Sequence, residues 1–172
     1  RCGRYSAAMP TALQLAEGNP ALAAAVRRSR TLLNRRALVA AVAGTVPVPG
    51  FDWAVDAALL SRLVPAINAQ FGLTPAQLDK LTPRKRDQVK KATEMVGSML
   101  IGKLITRDLV LRAAKAIGVR MTAAQAAKFV PLAGQAVSAL MGYTTIRYLG
   151  EQHIKDCVLV ARSVGLALPP PD

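Results

Sequence analysis

A histidine and a cysteine, four residues apart, are the side chains in this sequence best suited to catalytic chemistry. His153 and Cys157 would share one face of a helix, since positions i and i+4 are neighbours there. Such a pair could supply a thiol nucleophile and its base. However, Cys157 is followed by Val158 in an apolar stretch, and the sequence offers no oxyanion hole. A partly buried helical histidine is therefore the favoured interpretation, and we predict that the chain is not an enzyme.

Metal, cofactor and hydrolase sites find little support in the composition. The chain has one histidine and two cysteines, Cys2 and Cys157, which are too few for an ordinary zinc site or a disulfide framework. Its ten acidic residues are scattered and lie mostly at predicted helix starts, a distribution that does not suit a paired-carboxylate hydrolase. We therefore predict no catalytic residue, no bound metal and no cofactor.

Positive charge is the chemistry that the sequence does supply. The chain of 172 residues has a net charge of +13. Residues 1–36 hold seven basic and one acidic side chain, and residues 80–128 hold twelve basic and three acidic ones. Clustered cations favour phospholipid head groups or nucleic acid phosphates as partners, although a solvated basic face is the alternative. The candidate contacts to an anionic partner are Arg27, Arg28, Arg35, Arg36, Arg84, Lys85, Arg86, Lys90 and Lys91.

The rest of the composition predicts the helices that must position these cations. Apolar residues make up 52% of the chain, only 4% is aromatic, and no run alternates β-branched with polar residues. We predict an all-α fold, a compact multi-helix bundle with two apolar Pro-Gly helical hairpins. Residues 1–19 are expected to form a poorly structured N-terminal arm, residues 20–166 a single helical domain, and residues 167–172 a Pro-rich tail.

Capping and turn residues set the predicted helix boundaries. Thr74 and Thr122 each begin a threonine-x-x-glutamine capping box, and Thr82 precedes a proline suited to a first helical turn. Gly72 is expected to close the helix before it. The predicted helices cover residues 11–17, 20–44, 52–71, 84–104, 107–117 and 150–164. The uncharged run of residues 129–146 is borderline for a membrane span, and a buried core helix is favoured.

Two apolar segments with proline and glycine turns connect these helices. Residues 46–50 read Val-Pro-Val-Pro-Gly and lead into the apolar helix at residue 52, and Pro131 and Gly134 form a simpler version before another apolar run. Each proline excludes helix from the residue before it, so the chain must turn between apolar flanks. The candidate membrane or hairpin residues are Val46, Pro47, Pro49, Gly50, Phe51, Trp53, Pro131, Gly134 and Leu140.

Taken together and in this order, the two motifs resemble the helical domain of YcjF-type bacterial membrane proteins and the related helical part of immunity-related GTPases. The matching segments are residues 46–60, residues 71–73 with the sequence Phe-Gly-Leu, and residues 129–137, within a resemblance that covers about residues 37–164. The resemblance implies an all-α module associated with membranes and often attached to a GTPase domain. The sequence has no phosphate-binding loop, so nucleotide hydrolysis is not carried over.

Two functions are compatible with these features. The first is a non-catalytic, membrane-associated helical module that binds or inserts into anionic bilayers through apolar hairpins and basic helices, with membrane permeabilisation as a sharper variant. The alternative is a soluble interaction domain whose basic face binds nucleic acid or an acidic protein. Nucleic acid is less favoured, because aromatic residues are not interleaved with the basic ones.

The partners and location expected from the first function follow directly. We expect an anionic membrane surface as the main partner, and leave open a protein partner, a GTPase domain elsewhere and a homo-oligomer. The expected location is the cytoplasmic face of a bacterial inner membrane, or a membrane to which the protein is delivered. The sequence shows no signal peptide.

Overall fold

The computed structural model describes residues 10–43, 51–98, 100–102 and 133–170. These ranges contain helices and turns and no strand, and the helices pack around one core. The prediction of a compact all-α bundle is therefore confirmed. The described helices are α1 (Ala12–Leu15), α2 (Pro20–Ala43), α3 (Phe51–Gln70), α4 (Pro75–Leu78), α5 (Pro83–Val96) and α6 (Ala133–Val164).

Helices α2 and α6 form the central antiparallel pair. Arg30 Nε on α2 donates to Glu151 Oε2 on α6 at 3.1 Å, and one turn further along α2 the Arg147 guanidinium of α6 donates to Asn34. A step of four residues forward along α2 thus corresponds to four residues back along α6. The C-terminal end of α2 consequently lies beside the N-terminal part of α6.

The core between the helices is aliphatic. Helices α2, α3 and α6 each contribute fully buried side chains, and α3 adds the aromatic ring of Phe71 just past its end. Burying an aliphatic side chain of this size stabilises the fold by about 1.5–3 kcal/mol relative to leaving it exposed. The largest fully buried apolar side chains are Leu22, Val26, Leu33, Leu63, Ile67, Phe71, Leu73, Ile146, Ile154, Val158 and Val160.

Local capping chemistry sets the short helices and the turns, as the sequence predicts. Thr74 and Gln77 form both hydrogen bonds of a capping box at α4, and the Thr82 hydroxyl accepts from Lys85 N at the start of α5. Gly72 has a φ of 71° after the last turn of α3, which is the left-handed conformation expected of a closing glycine. These three predictions are confirmed.

The two helices at the second half of the chain differ in length from the prediction. The expected helix over residues 84–104 ends at Val96, because Gly97 takes a φ of 72° and Ser98 N then bonds back to Thr93 O. The expected helix over residues 150–164 is only the second half of α6, which continues through Gly150 without a break. Both predicted boundaries are therefore wrong.

Both ends of the described chain pack against the bundle. Ala12 and Ala16 are buried in the core, and Arg162 Nη1 donates to Leu15 O at 2.7 Å, the last carbonyl of α1. Helix α1 lies within the short helical stretch that we predicted over residues 11–17 of the N-terminal arm. In the predicted Pro-rich tail, Leu168 packs against the core, and Ala167 and Pro169 lie close to Gly72.

Several predicted features lie outside the described residues. They include the first Pro-Gly turn, the helix over residues 107–117, the Thr122 capping box and the start of the second hairpin motif. The outcome of those predictions stays open. Candidate residues in these stretches are Val46, Pro47, Pro49, Gly50 and Pro131.

Candidate functional site

A fully buried polar cluster lies between α3 and α6. Asn68 Oδ1 on α3 is 2.9 Å from His153 Nε2 and 3.5 Å from Cys157 Sγ, both on α6. An amide oxygen only accepts hydrogen bonds, so the imidazole N–H and the thiol are the donors. The orientation of the amide is set by its other end, where Asn68 Nδ2 donates to Leu100 O at 3.1 Å. One asparagine therefore satisfies three groups, two on α6 and one at Leu100.

Burial keeps both titratable members of this cluster neutral. Burial lowers the pKa of His153 to about 4, because the imidazolium form loses its hydration. The same effect raises the pKa of the Cys157 thiol well above its usual value. The two side chains share a face as predicted, with Sγ 3.7 Å from Nε2. A nucleophilic cysteine needs the opposite pattern, a thiolate beside a protonated base.

Asp156 lies next to this cluster in sequence and also titrates unusually. Burial raises the pKa of its carboxyl to about 6. The described residues that follow α5 are 97, 98 and 100–102, and among them Leu100 O receives the Asn68 hydrogen bond. No pattern in the sequence singled out Asn68 or Asp156.

Four of the nine candidate cations are held by partners within the bundle. Lys85 Nζ donates to Val164 O at 2.6 Å, and Arg86 Nη2 donates to Asp79 O at 2.8 Å. Arg28 Nε donates to Gln70 Oε1 at 2.6 Å, and Lys91 Nζ is 2.9 Å from Asp87 Oδ2. Lys85, Arg86 and Arg28 thus bond to other helices or turns, whereas Lys91 pairs within α5 itself. Their role as contacts to an anionic partner stays a prediction.

The positions of Lys85 and Arg86 follow from helix electrostatics. Both lie in the first turn of α5, where the positive end of the helix dipole disfavours cations. Each instead reaches a carbonyl at or just past the C-terminal end of a neighbouring helix, Val164 of α6 or Asp79 after α4. Such carbonyls lack intrahelical partners and carry partial negative charge, so the cations are favoured there.

The other five candidate cations have no side-chain partner in the described part of the chain. Arg27, Arg35, Arg84 and Lys90 are exposed, and Arg36 is half-buried. They are divided between α2 and α5. The structure therefore does not bring the nine candidates together into one basic face. Two separate pairs of exposed cations remain, one on each of these helices.

An exposed apolar surface occurs at one end of the α2–α6 pair. Leu38 is 60% exposed and Val39 49% exposed near the end of α2, and Leu140 is 62% exposed near the start of α6. Carrying the register of the Asn34–Arg147 hydrogen bond seven residues further brings Leu140 level with residue 41 of α2. We call Leu38, Val39 and Leu140 the apolar end. Arg35 lies one turn before Val39 and is also exposed.

The remaining hairpin candidates are only partly placed. Phe51 and Trp53 lie in the first turn of α3, and their side chains are outside the described features. Gly134 lies in the first turn of α6. None of the helices in the described ranges combines the length and the apolarity that a membrane crossing needs. The same ranges contain no group of three or more histidine, cysteine or acidic side chains able to hold a metal ion.

Comparisons of the chain with protein-family models, with curated proteins and with solved structures find no match.

Proposed function

We propose that the chain is a non-catalytic module that binds the surface of anionic membranes through its apolar end. The observation that supports this function is the combination of Leu38, Val39 and Leu140, all large and exposed, at one end of the α2–α6 pair. Arg35 is exposed beside them and has no side-chain partner in the described residues. Apolar side chains with a neighbouring cation match the boundary between acyl chains and anionic head groups.

The energetics of such a contact are modest and additive. Full burial of one leucine or valine side chain is worth about 1.5–3 kcal/mol, of which the exposed fraction is available for binding lipid. A cation close to an anionic leaflet adds about 1 kcal/mol. Three apolar side chains and one or two arginines therefore support reversible binding. The resemblance to YcjF-type membrane proteins agrees with this proposal. The proposal also keeps an attached GTPase domain, which that resemblance implies, as a partner of the module.

Vesicle flotation tests the proposal directly. The protein is mixed with vesicles of phosphatidylglycerol and phosphatidylcholine, or of phosphatidylcholine alone, at low salt. We expect the wild type to float with the anionic vesicles only. Leu38→Asp should reduce flotation at least tenfold, because binding would then require a charged carboxylate to leave water and enter the lipid. Met95→Asp is the matched control, because Met95 on α5 is 80% exposed and lies outside the apolar end.

The result that would overturn the proposal is specific. Wild-type protein that stays in solution with anionic vesicles contradicts it, as does equal loss of flotation in the two aspartate variants. Leu140→Asp provides a second test on the other helix. Because Leu38 and Leu140 are both exposed, neither variant should unfold the bundle, and circular dichroism checks this.

The exposed cations of α5 support one second candidate, a soluble domain that binds nucleic acid. Arg84 and Lys90 are exposed without a side-chain partner in the described residues, and they lie on a different helix from the apolar end. The double variant Arg84→Glu and Lys90→Glu should abolish a salt-dependent binding of DNA if this function holds. Under the membrane proposal the same variant floats with anionic vesicles nearly as well as the wild type.

A further inference from the structure

The polar cluster between α3 and α6 places potential metal ligands from three side chains around one point. His153 Nε2 and Cys157 Sγ are 3.7 Å apart, and Asn68 Oδ1 is 2.9 Å from the nitrogen and 3.5 Å from the sulfur. All three residues are buried, with exposed fractions of 4% or less. We call these three side chains the buried triad.

We propose that the buried triad is a binding site for one soft monovalent metal ion, of which the cuprous ion is the physiological example. His153 Nε2 and Cys157 Sγ are the two main ligands, and Asn68 Oδ1 is a weaker third contact. The site takes up the ion in exchange for the thiol proton, which passes to the solvent. This inference goes beyond the proposed membrane function and does not depend on it.

The distances within the buried triad suit one bound ion. Bonds from an imidazole nitrogen and a thiolate sulfur to a first-row metal ion are about 2.0 and 2.3 Å long. The 3.7 Å between His153 Nε2 and Cys157 Sγ is shorter than these two bonds end to end, so both atoms reach one ion with an angle of about 120° between the bonds. An ion inside the triangle of the three ligand atoms lies about 2 Å from each of them, including Asn68 Oδ1.

The helix backbone and one hydrogen bond hold the three ligands in position. His153 and Cys157 are one turn apart on α6, which continues without interruption through both positions, so they lie on the same face. On α3, Asn68 Nδ2 donates to Leu100 O at 3.1 Å, and this bond fixes the amide with Oδ1 toward the other two ligands. Side chains that are ordered before binding lose little conformational entropy when the ion arrives.

The chemistry of the ligands favours a soft ion. Thiolate sulfur selects the cuprous ion among the physiological metals, and imidazole nitrogen also binds copper well. The chain has one histidine and two cysteines, which are too few for an ordinary four-coordinate zinc site. A cuprous ion accepts lower coordination numbers, so the side chains of His153, Cys157 and Asn68 are sufficient for it.

Charge balance favours a monovalent ion over a divalent one. The exchange of the Cys157 thiol proton for a monovalent cation leaves the net charge of the buried triad unchanged. A divalent cation would instead add one positive charge to side chains that are almost fully removed from water, which is unfavourable.

The hydrogen bonds of the triad are replaced when the ion binds. The Nε2 atom of His153 must offer its lone pair, so the neutral imidazole carries its proton on Nδ1 in the bound state. Asn68 Oδ1 then loses the two donors that it has in the metal-free cluster, the imidazole N–H and the thiol. Contact with the ion replaces them, so this buried oxygen keeps a partner.

Competition with a coloured chelator tests the site. The parent is the Cys2→Ser protein, in which Cys157 is the only thiol and His153 the only histidine. It is incubated without oxygen with the cuprous complex of bathocuproine disulfonate, and the loss of colour gives the amount of ion transferred. We expect transfer to saturate at a single ion for each chain. In the same background His153→Gln, which keeps a side-chain N–H for Asn68, should bind at least tenfold more weakly, and Cys157→Ser should withdraw no ion.

X-ray absorption at the copper edge of the loaded parent protein tests the ligands without relying on the folding of any variant. We expect sulfur at about 2.3 Å and nitrogen at about 2.0 Å from the metal. Three outcomes would overturn the site: no transfer of the ion to the parent protein, equal affinity in the His153→Gln variant, and a copper ion without a nitrogen ligand. Displacement of the cuprous ion by an equal concentration of zinc would contradict the monovalent assignment.

Discussion

Gly150 lies so close to Leu33 that a Cβ atom at position 150 would be 2.9 Å from Leu33 Cδ2 and 3.1 Å from Leu33 Cγ. Leu33 is fully buried and therefore has little room to move away. The two polar contacts between α2 and α6 lie on either side of this crossing in sequence. The helices thus approach at a point where only glycine fits, and the close approach sets their register.

Gly150→Ala should destabilise the protein. In an exposed helix interior the change from glycine to alanine is stabilising by up to about 1 kcal/mol, because alanine restricts the unfolded chain. Here the added methyl group must displace Leu33, and overpacking of this kind costs about 1–3 kcal/mol. We expect a lower free energy of unfolding in urea.

A double-mutant cycle separates this clash from other effects. Leu33→Ala alone should cost about 2–5 kcal/mol through the cavity that it leaves. Added to Leu33→Ala, the Gly150→Ala change should be neutral or stabilising, because the atoms with which the new methyl group clashes are gone. The same cost for Gly150→Ala in both backgrounds would contradict a direct contact.

Lys85→Met should destabilise the bundle, whereas Lys90→Met should not. Lys85 Nζ donates to Val164 O at 2.6 Å and so occupies the C-terminal end of α6, while Lys90 is exposed without a side-chain partner in the described residues. Loss of a charge-assisted hydrogen bond of this kind costs about 1–3 kcal/mol. Surface changes without such contacts stay within about 0.5 kcal/mol. Urea unfolding of both variants measures the difference, and equal midpoints would refute the assignment.

Asp156→Asn should stabilise the protein at neutral pH and have a smaller effect in acid. The pKa of Asp156 is raised to about 6 from 3.8 by burial, so the folded state favours the protonated carboxyl. The protonated Asp156 carboxyl contributes its full stabilisation below the pKa that it has in the unfolded chain. This stabilisation is lost as the pH rises through about 6. Asparagine removes this loss. Urea midpoints at about pH 7.5 and about pH 4 should show a larger gain at the higher pH.

The elements that local sequence signals define were largely predictable. Thr74, Thr82 and Gly72 act through groups within a few residues of themselves, so the caps and the closing turn follow from the sequence alone. Gly150 was different, since it was expected to begin a helix. Its role depends on Leu33, which lies more than a hundred residues earlier in the chain, and no local pattern reports that contact.

The candidate site was predictable only in part for the same reason. The shared face of His153 and Cys157 follows from their spacing on one helix. Their common acceptor, Asn68, lies 85 residues before His153. The contact depends on the packing of α3 against α6, which no local sequence pattern predicts. Likewise Lys85 and Arg86 look like surface cations in the sequence, but the carbonyls that they reach belong to other helices.

Pro65→Ala should stabilise α3, and it provides the sharpest test of how that helix is held together. Pro65 lies inside α3, where it has no N–H to donate to the carbonyl one turn earlier, and a proline in a helix interior costs about 3 kcal/mol relative to alanine. The ring is only partly buried, so its loss removes some packing and leaves an expected net gain of about 1–2 kcal/mol in the free energy of unfolding. Pro83→Ala is the matched control, because Pro83 occupies the first position of α5, where the missing N–H has no intrahelical partner anyway. That variant should be neutral or slightly destabilised, since alanine leaves the unfolded chain more freedom. If Pro65→Ala is no more stable than Pro83→Ala in urea, tertiary packing of the Pro65 ring compensates fully for the hydrogen bond that α3 lacks.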